Sequence, residues 1–319
     1  MVVITCQHEH TAKHGKDRHG AQRLKCKACG ATFTEAKPQP LGSLRIGMRD
    51  ATTALGMMLE GMSLRSIHRL TGIDRETLGD LILAVGENCG ALLDSIEGVE
   101  ADDVEADEIW SFVGLKEKRR VDRNRSPELG DSWCWIAIES NTKMVLAHHV
   151  GERDSESCWR FMERLRKATV GRFQLSSDGL AAYRMTVPFV FRGNVDFAQL
   201  VKQYASTQVT TRYSPATIIG AEKHTRMGNP ELEKVCTSHV ERLNLSLRMH
   251  LRRFTRLTNG HSKSLDHHKA MLAIFFAWYN FARVNTGLTG KQTPAMATGL
   301  ATKAWSLREL LEKAAEKNF

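Results

Sequence analysis

The sequence predicts an α/β protein with a mixed sheet and flanking helices, preceded by a small cysteine-containing segment and a helical segment. Strand-like composition recurs in three runs, at residues 104–114, 133–139 and 144–150, where β-branched and aromatic residues are frequent. Apolar residues at helical spacing follow at 154–168, and a fourth strand-like run at 173–177. Three strands, a helix and a fourth strand beside the first suit a mixed sheet with helices on its faces.

The charge distribution predicts a polyanionic partner. The 319 residues carry a formal net charge of +9 and a pI near 9.3, which favours nucleic acid. Residues 1–49 hold nine Lys and Arg against three acids, and residues 242–263 hold six with no acid. By contrast, residues 94–108 hold eight acids and no base. These blocks fit a DNA-binding protein with an acidic centre; a merely solvated charged surface is the alternative.

Cysteine usage and hydropathy indicate a cytoplasmic protein that does not enter a membrane. Of the seven cysteines, three lie near the N-terminus and four are scattered, which argues for a reducing compartment rather than for disulfides. The polar N-terminus does not resemble a signal peptide. The longest apolar run, Ala270 to Tyr279, is too short to cross a bilayer, so we expect it to form a core helix.

Residues 1–40 are predicted to form a zinc ribbon. Cys26-x-x-Cys29 has the spacing that lets two thiolates share one tetrahedral metal. Cys6 is a third candidate ligand, and His8 and His10 compete for the fourth place, with His8 preferred. A segment this small and polar has no core, so metal would have to stabilise it; reduced cysteines without metal are the alternative. The basic residues expected to contact DNA phosphates here are Arg18, Arg23 and Lys25.

Residues 41–99 are predicted to form a helix-turn-helix region. Ser63 and Asp74 can cap two helices, and Gly72 lies in the short turn between them. This pattern is typical of a DNA-binding helix-turn-helix, although a plain helical hairpin or a dimer contact fits it as well. The expected DNA contacts in this region are Arg65, Arg69 and Arg75.

Three carboxylates are candidates for a shared metal site. Asp107 lies on the strand at 104–114, where alternation places Glu108 on the opposite face, so we expect only one of them to face a given site. Asp178 follows the fourth strand directly, and Glu241 lies on a later helix. Like charges a few Å apart oppose one another's ionisation, and oxygen-only ligands select Mg²⁺ or Mn²⁺. Such ions can activate an attacking oxygen in phosphodiester displacement.

The helix that carries Glu241 is expected to begin at Glu231 and to present two different faces. The apolar stripe expected to pack on the sheet comprises Val240, Leu243, Leu247, Leu251 and Phe254. The neighbouring stripe begins with Glu241 and continues with bases only, which suggests phosphate contact; an ordinary amphipathic helix is the alternative. The arginines expected to bind DNA are Arg248, Arg252, Arg253 and Arg256.

Three motifs in this order also resemble a known family. They read D-E-I-W-S-F-V-G (107–114), S-D-G-L-A-A-Y (177–183) and V-E-R-L-N-L-S-L-R-M-H-L-R-R-F-T-R-L-T (240–258). With the tail motifs at 279–285 and 293–300, they resemble the bacterial transposases of the insertion-sequence-one type, which carry a DDE triad. The resemblance covers nearly the whole chain. His261 departs from it, since family members usually have phenylalanine at this place in G-H-S-K-S.

The resemblance implies an RNase H-like catalytic domain over residues 100–319, with Asp107, Asp178 and Glu241 as its Mg²⁺-binding catalytic triad. It further implies cleavage of double-stranded DNA at the terminal inverted repeats of a mobile element and transfer of the 3′-hydroxyls into target DNA. Because two ends must be paired, we expect a homodimer or larger assembly, associated with the bacterial nucleoid. Two alternatives stay open: an inactive zinc-ribbon and helix-turn-helix regulator, and an RNase H-like nuclease without transfer activity.

Overall fold

A computed structural model gives the fold of the chain. It describes residues 6, 8, 10–18, 20, 22–34, 38–126, 128–204, 218–255 and 259–316. The chain divides into two compact units, Met1–Gln39 and Pro40–Asn318.

The first unit is a three-stranded antiparallel sheet. Its strands, in spatial order, are β1 (Thr11–Lys16), β2 (Gln22–Cys26) and β3 (Thr32–Thr34). A tight turn follows β2, where the Gly30 amide donates to the Cys26 carbonyl at 3.0 Å. Gly30 has a φ of +77°, a conformation that glycine adopts at little cost. The turn therefore brings Cys29 back beside Cys26.

The second unit begins with three helices, α1 (Met48–Leu59), α2 (Leu64–Thr71) and α3 (Arg75–Asp94). The predicted caps are confirmed: the Ser63 hydroxyl accepts from the Ser66 amide, and the Asp74 carboxylate accepts from the Glu76 amide at 2.8 Å. Gly72, with a φ of +73°, ends α2. The two helices therefore lie where local capping signals predicted them.

In the described part of this unit, the remaining elements are pairs of strands separated by helices, followed by four helices at its end. In chain order they are β4 (Val99–Glu100), β5 (Asp103–Val113), α4 (Glu117–Asp122), β6 (Gly130–Glu139), β7 (Val145–Gly151), α5 (Ser155–Ala168), β8 (Thr169–Val170), β9 (Phe173–Asp178), α6 (Ala181–Phe191), β10 (Val195–Tyr204), β11 (Ile218–Met227), α7 (Ser238–His250), α8 (Leu265–Phe281), α9 (Pro294–Ala297) and α10 (Leu307–Glu316). A 3₁₀ turn at Arg252–Phe254 follows α7.

The predicted mixed sheet is confirmed. Six strands lie in the order β11-β10-β9-β5-β6-β7. The pairs β5–β6, β6–β7 and β10–β11 are antiparallel, whereas β9 runs parallel to both β5 and β10. As expected, the strand that ends in Asp178 lies next to the strand that carries Asp107. The short pair β4–β8 forms a separate two-stranded sheet.

Helices cover both faces of the large sheet. On one face, the ring of Trp135 on β6 lies 5.5 Å from Tyr183 of α6 and 6.0 Å from Phe161 of α5. On the other face, His148 of β7 lies 4.8 Å from Phe276 of α8. Helix α7 packs on β5 and β6. One hydrophobic core includes residues of the sheet, of α3 and of α8, so the predicted division between residues 41–99 and 100–319 stays a prediction.

Two expectations about the later part of the chain were wrong. The helix expected from Glu231 begins only at Ser238, because the Glu231 amide donates to Gln174 at the end of the sheet and the first amides of α7 are held by a strand residue. The sequence features Ser214-Pro215, Gly220 and Gly228-Asn229-Pro230 predict a loop-rich segment. This segment instead contains the long strand β11, whose apolar alternation is too weak to signal it. The expected core helix at 270–279 is confirmed within α8, which is largely buried. Within the described residues, no helix is long and apolar enough to span a membrane.

Candidate active site and metal centres

Asp107 and Asp178 lie side by side on adjacent parallel strands. Ala106 of β5 pairs with Ser177 of β9, so the next residue on each strand is a carboxylate. Asp178 is the last residue of β9, and it accepts a hydrogen bond from the Leu180 amide at 2.9 Å. The parallel register, which brings together residues about 70 positions apart, therefore creates the pair.

Glu108 joins these two aspartates, contrary to expectation. Alternation does direct it to the α5–α6 face, where its carboxylate accepts from Arg153 and, at 3.3 Å, from the buried Tyr183 hydroxyl. Nevertheless, oxygens of Asp107, Glu108 and Asp178 all lie within 4.8 Å of one another. The expectation that only one of the adjacent acids could face the site was wrong, because Asp178 ends its strand and its carboxylate approaches residues from both faces of β5.

Burial and mutual repulsion make this cluster electrostatically unfavourable. Burial, followed by the charge of Asp178, raises the pKa of Asp107 to about 7. The same two causes raise the pKa of Glu108 to about 7. Arg153 compensates part of this negative charge, because its guanidinium lies 2.6 Å from the Glu108 carboxylate and 3.8 Å from the Asp178 carboxylate. Oxygen donors crowded in this way suit a hard divalent cation.

Helix α7 brings Glu241 near this cluster without adding it to the cluster. The Glu241 carboxylate accepts from the Thr237 hydroxyl at 2.8 Å and contacts the ammonium of Lys202 on β10. One turn later, the Asn244 amide donates to Asp107 at 2.8 Å. The Asn244 carbonyl oxygen is buried and accepts no hydrogen bond from the described residues. An orphaned oxygen on a side chain that contacts Asp107 fits a site that takes a hydrated cation.

Glu105 has a place in the site that the sequence analysis did not recognise. Its carboxylate is 2% exposed and accepts from the His239 and Val240 amides at 2.7 and 3.0 Å. These are amides of the first turn of α7, so β5 anchors the helix that carries Glu241. The sequence did contain a signal for this role: Glu105 lies two residues before Asp107 and therefore on the same face of the strand.

The predicted zinc ligands come together in the first unit. Atoms of Cys6, His8, Cys26 and Cys29 lie within 4.8 Å of one another. The Cys6 and Cys26 sulfurs are 3.7 Å apart, and the His8 Nδ1 lies 3.3 Å from the Cys29 sulfur. Two thiolates on a tetrahedral zinc lie about 3.8 Å apart, so the donor set fits zinc. Hydrogen bonding from His8 lowers the pKa of Cys26 to about 6. His10 is exposed and is not in this group.

The predicted DNA-binding residues differ in their surroundings. The exposed ones are Arg18, Lys25, Arg65, Arg69, Arg75 and Arg252. Arg23 and Arg248 are half-buried, and Arg256 lies outside the described residues. Arg253 donates to the Ser262 hydroxyl and to the His267 carbonyl, and burial lowers its pKa to about 10. Its surroundings are those of a structural residue, and its role in DNA binding stays a prediction.

His261, the residue that departs from the family pattern, stacks on Phe112 of β5. The two ring centroids are 4.5 Å apart and the rings are inclined by 29°. Lys116 lies over the same Phe112 ring at 5.9 Å. His261 therefore contacts the strand that carries Asp107 through its ring.

Comparison with known proteins finds similarity to transposases. Residues 103–204 match the family model described as IS1 transposase. The insertion element iso-IS1n protein InsB of Shigella dysenteriae is 26% identical over 177 residues, which cover 56% of this chain and 95% of that protein. The cryo-EM structure of the piggyBac transposase synaptic complex with hairpin DNA aligns over 86% of this chain and 73% of that chain. Its TM-score of 0.38 and 9% identity are too low for a structural argument. Over the matched domain and the stretch aligned with this relative, the chain is therefore similar to IS1-type transposases.

Proposed function

We propose that this chain is the DDE transposase of a bacterial insertion sequence, which binds terminal inverted repeats, cleaves DNA at them and joins the 3′ ends to target DNA. The observation that carries the proposal is the pair formed by Asp107 and Asp178 on adjacent parallel strands. The family match supports the reaction class. In metal-assisted phosphoryl transfer between DNA strands, paired carboxylates hold the divalent cations at the reacting phosphate.

The sheet topology supports an RNase H-like fold for this domain. An antiparallel meander, β5–β6–β7, is extended on the other side of β5 by β9 and β10, which run parallel to it. In this arrangement β5 is a central strand, and its carboxylates lie where helices from both faces approach. The domain assignment of residues 100–319 is part of the proposal.

Asp107 and Asp178 are the proposed Mg²⁺ or Mn²⁺ ligands, with Glu241 as the third carboxylate. The bound ion would activate the attacking oxygen and stabilise the leaving one. Asn244 holds the Asp107 carboxylate through a 2.8 Å hydrogen bond and belongs to the same helix as Glu241. Arg153 compensates the negative charge on the opposite side of the strand, beside Glu108 and Asp178.

DNA recognition is assigned to the basic residues of three regions. The first unit would be a zinc ribbon held by Cys6, His8, Cys26 and Cys29, and α2 and α3 would form the helix-turn-helix. Both would contact the inverted repeats, whereas the exposed Arg252 after α7 would hold phosphates near the carboxylates. Synapsis of two ends would require at least a homodimer of this chain on double-stranded DNA.

The test is cleavage of oligonucleotide duplexes that carry the element's own ends, with Mg²⁺ and then Mn²⁺. We expect Asp107→Asn, Asp178→Asn and Glu241→Gln each to reduce cleavage about a thousandfold, which corresponds to about 4 kcal/mol of transition-state stabilisation. End binding, measured by fluorescence anisotropy, should stay within about threefold, because the changes spare the proposed phosphate contacts. Glu163→Gln, which changes an exposed acid on α5, is the matched control and should cleave like the unmodified protein.

Three outcomes separate this proposal from its alternatives. Cleavage that persists in Asp178→Asn protein would remove the triad assignment. End binding without any metal-dependent nicking in the unmodified protein would identify an inactive DNA-binding regulator. Nicking without joined products, in a reaction supplied with target DNA, would identify a nuclease that lacks transfer activity.

A further inference from the structure

The amino end of α7 lacks a cap from its own sequence. The residue before the helix is Thr237, whose side chain caps no amide of the helix and instead donates to Glu241. The first amides of a helix have no intrahelical acceptors and carry partial positive charge. Helix α7 therefore needs an acceptor from elsewhere in the fold.

Glu105 of β5 supplies that acceptor. One carboxylate oxygen, Oε2, accepts from the His239 and Val240 amides at 2.7 and 3.0 Å. The other oxygen, Oε1, lies 2.7 Å from the His239 ring nitrogen and accepts from the Cys236 thiol at 2.8 Å. The Ser140 hydroxyl donates to the same oxygen at 3.3 Å. A carboxylate that is almost fully buried thus has donors on both oxygens, which compensates its charge.

The short distances argue against a metal ion among these side chains. The His239 nitrogen and the Cys236 sulfur each lie at hydrogen-bond distance from the same Glu105 oxygen. Ligands of one zinc ion are generally more than 3 Å apart, since each lies about 2.0–2.3 Å from the metal. The cluster is therefore a hydrogen-bonded anchor.

The position of this anchor links the two sides of the candidate active site. Glu105 and Asp107 are two residues apart on β5 and so point to the same face. Glu241 lies in the first turn of α7, directly after the amides that Glu105 holds, and Asn244 lies one turn later against Asp107. One strand thus carries an aspartate of the site and also fixes the register of the helix that brings the third acid.

We propose that Glu105 is a positioning residue, which holds α7 so that Glu241 and Asn244 are aligned with Asp107 for cation binding. The inference rests on the proposed function of this site. Outer-shell groups that orient metal ligands typically contribute 10–100-fold to metal affinity or activity. Loss of the Glu105 carboxylate should therefore weaken cation binding, although Glu105 itself does not contact the ion.

The experiment compares Glu105→Gln with Glu139→Gln in the full chain. Glu139 is also 2% exposed and ends the neighbouring strand β6, but its carboxylate accepts from Thr142 of the following turn rather than from α7. Both changes remove one buried charge from the same sheet. Mn²⁺ binding followed by electron paramagnetic resonance gives a readout without turnover, and the Mg²⁺ dependence of end cleavage gives a second.

We expect Glu105→Gln to weaken Mn²⁺ binding about 10–100-fold and to shift the Mg²⁺ concentration for half-maximal cleavage in the same direction. High Mg²⁺ should partly rescue its cleavage, and Glu139→Gln should match the unmodified protein in both readouts. If Glu105→Gln binds Mn²⁺ like Glu139→Gln, the positioning role is refuted. If the unmodified protein binds Mn²⁺ but does not cleave, the proposed function fails and the positioning role is judged on Mn²⁺ affinity alone. Should Glu105→Gln not fold, Glu105→Asp, which keeps the charge but shortens the reach, takes its place with the same criteria.

Discussion

Gly86 is the position where the contact between α3 and α8 leaves no room for a side chain. A Cβ atom at Gly86 would lie 2.4 Å from the Cβ of Ala270, 2.6 Å from its Cα and 2.8 Å from its carbonyl oxygen. Two of these three atoms belong to the backbone of α8, so no rotamer change relieves the overlap. Gly86→Ala can be accommodated only if the two helices move apart.

The magnitude follows from two opposing effects. Overpacking a close-packed core costs about 1–3 kcal/mol, and a contact with backbone favours the upper end. Alanine in a helix interior is about 1 kcal/mol more favourable than glycine, which offsets part of that cost. We therefore expect Gly86→Ala to lower the free energy of unfolding by about 2 kcal/mol.

Gly90, one turn further along α3, provides the matched control. Its added Cβ would lie 4.0 Å from the Ala273 Cβ, which is an ordinary van der Waals contact. Gly90→Ala should consequently stabilise the protein by up to about 1 kcal/mol through helix propensity. The two alanine variants should thus differ by about 3 kcal/mol although they share a helix and a partner helix.

Urea unfolding followed by circular dichroism measures both free energies, and thermal midpoints should follow at about 2 °C per kcal/mol for a chain of this size. Equal changes in the free energy of unfolding of the two variants would mean that helix propensity alone determines the effect of alanine on this side of α3. A Gly86→Ala protein as stable as the unmodified one would refute the close approach of α3 and α8.

Three further changes test the zinc ligands, the ion pair of a buried glutamate and a buried histidine. A chelator should remove about one zinc ion per chain and abolish amide-exchange protection in β1–β3 but not in α3. The Cys29→Ser protein should retain no zinc. Unchanged protection of β1–β3 after chelation would contradict a unit that zinc stabilises. Arg153→Gln should destabilise the protein by about 1–3 kcal/mol, because the Glu108 side chain is 1% exposed and would lose its ion pair. The control is Arg160→Gln, which removes an exposed ion pair on α5 and should lower the free energy of unfolding by under about 0.5 kcal/mol. Equal losses of stability in the two variants would argue against a buried charge on Glu108. Burial lowers the pKa of His268 from 6.5 to about 3, so below pH 6.5 the unfolded chain binds a proton that the folded chain excludes. The contribution of His268 to stability should therefore be lost between pH 6.5 and 3, and the pH dependence of His268→Gln should lack this loss. Equal slopes in urea titrations of the two proteins would refute this origin.

Local signals in the sequence predicted the elements that depend on local chemistry. The caps at Ser63 and Asp74 follow from side chains that accept amides two or three residues away. The strand at 104–114 follows from its alternation, and its neighbour was predicted from the order of elements. These predictions succeeded because each depends on neighbouring residues or on a general rule of topology.

The contacts that could not be predicted from the sequence join residues that lie far apart along the chain. The Glu105 carboxylate meets its amide donors 134 and 135 positions away, and Lys202 meets Glu241 across 39 positions. No periodic pattern in the sequence indicates either contact, because each depends on how α7 packs on the sheet. The approach of Glu108 to Asp178 was missed for a different reason: alternation gives the direction of a side chain but not the point at which a neighbouring strand ends.

Three of the four acids of β5 have separate roles, according to the face on which each lies and the neighbour that it contacts. Glu105 faces α7 and holds its first amides, Asp107 faces the same helix and pairs with Asp178, and Glu108 turns to the opposite face, where Arg153 and Tyr183 hold it. Glu105 and Asp107 are two residues apart, so both point to one face of β5. Glu108 directly follows Asp107 and therefore points to the other face. Glu105, Asp107 and Glu108 thus have different partners, which spreads the compensation of their charges, although the carboxylates of Asp107 and Glu108 both approach Asp178.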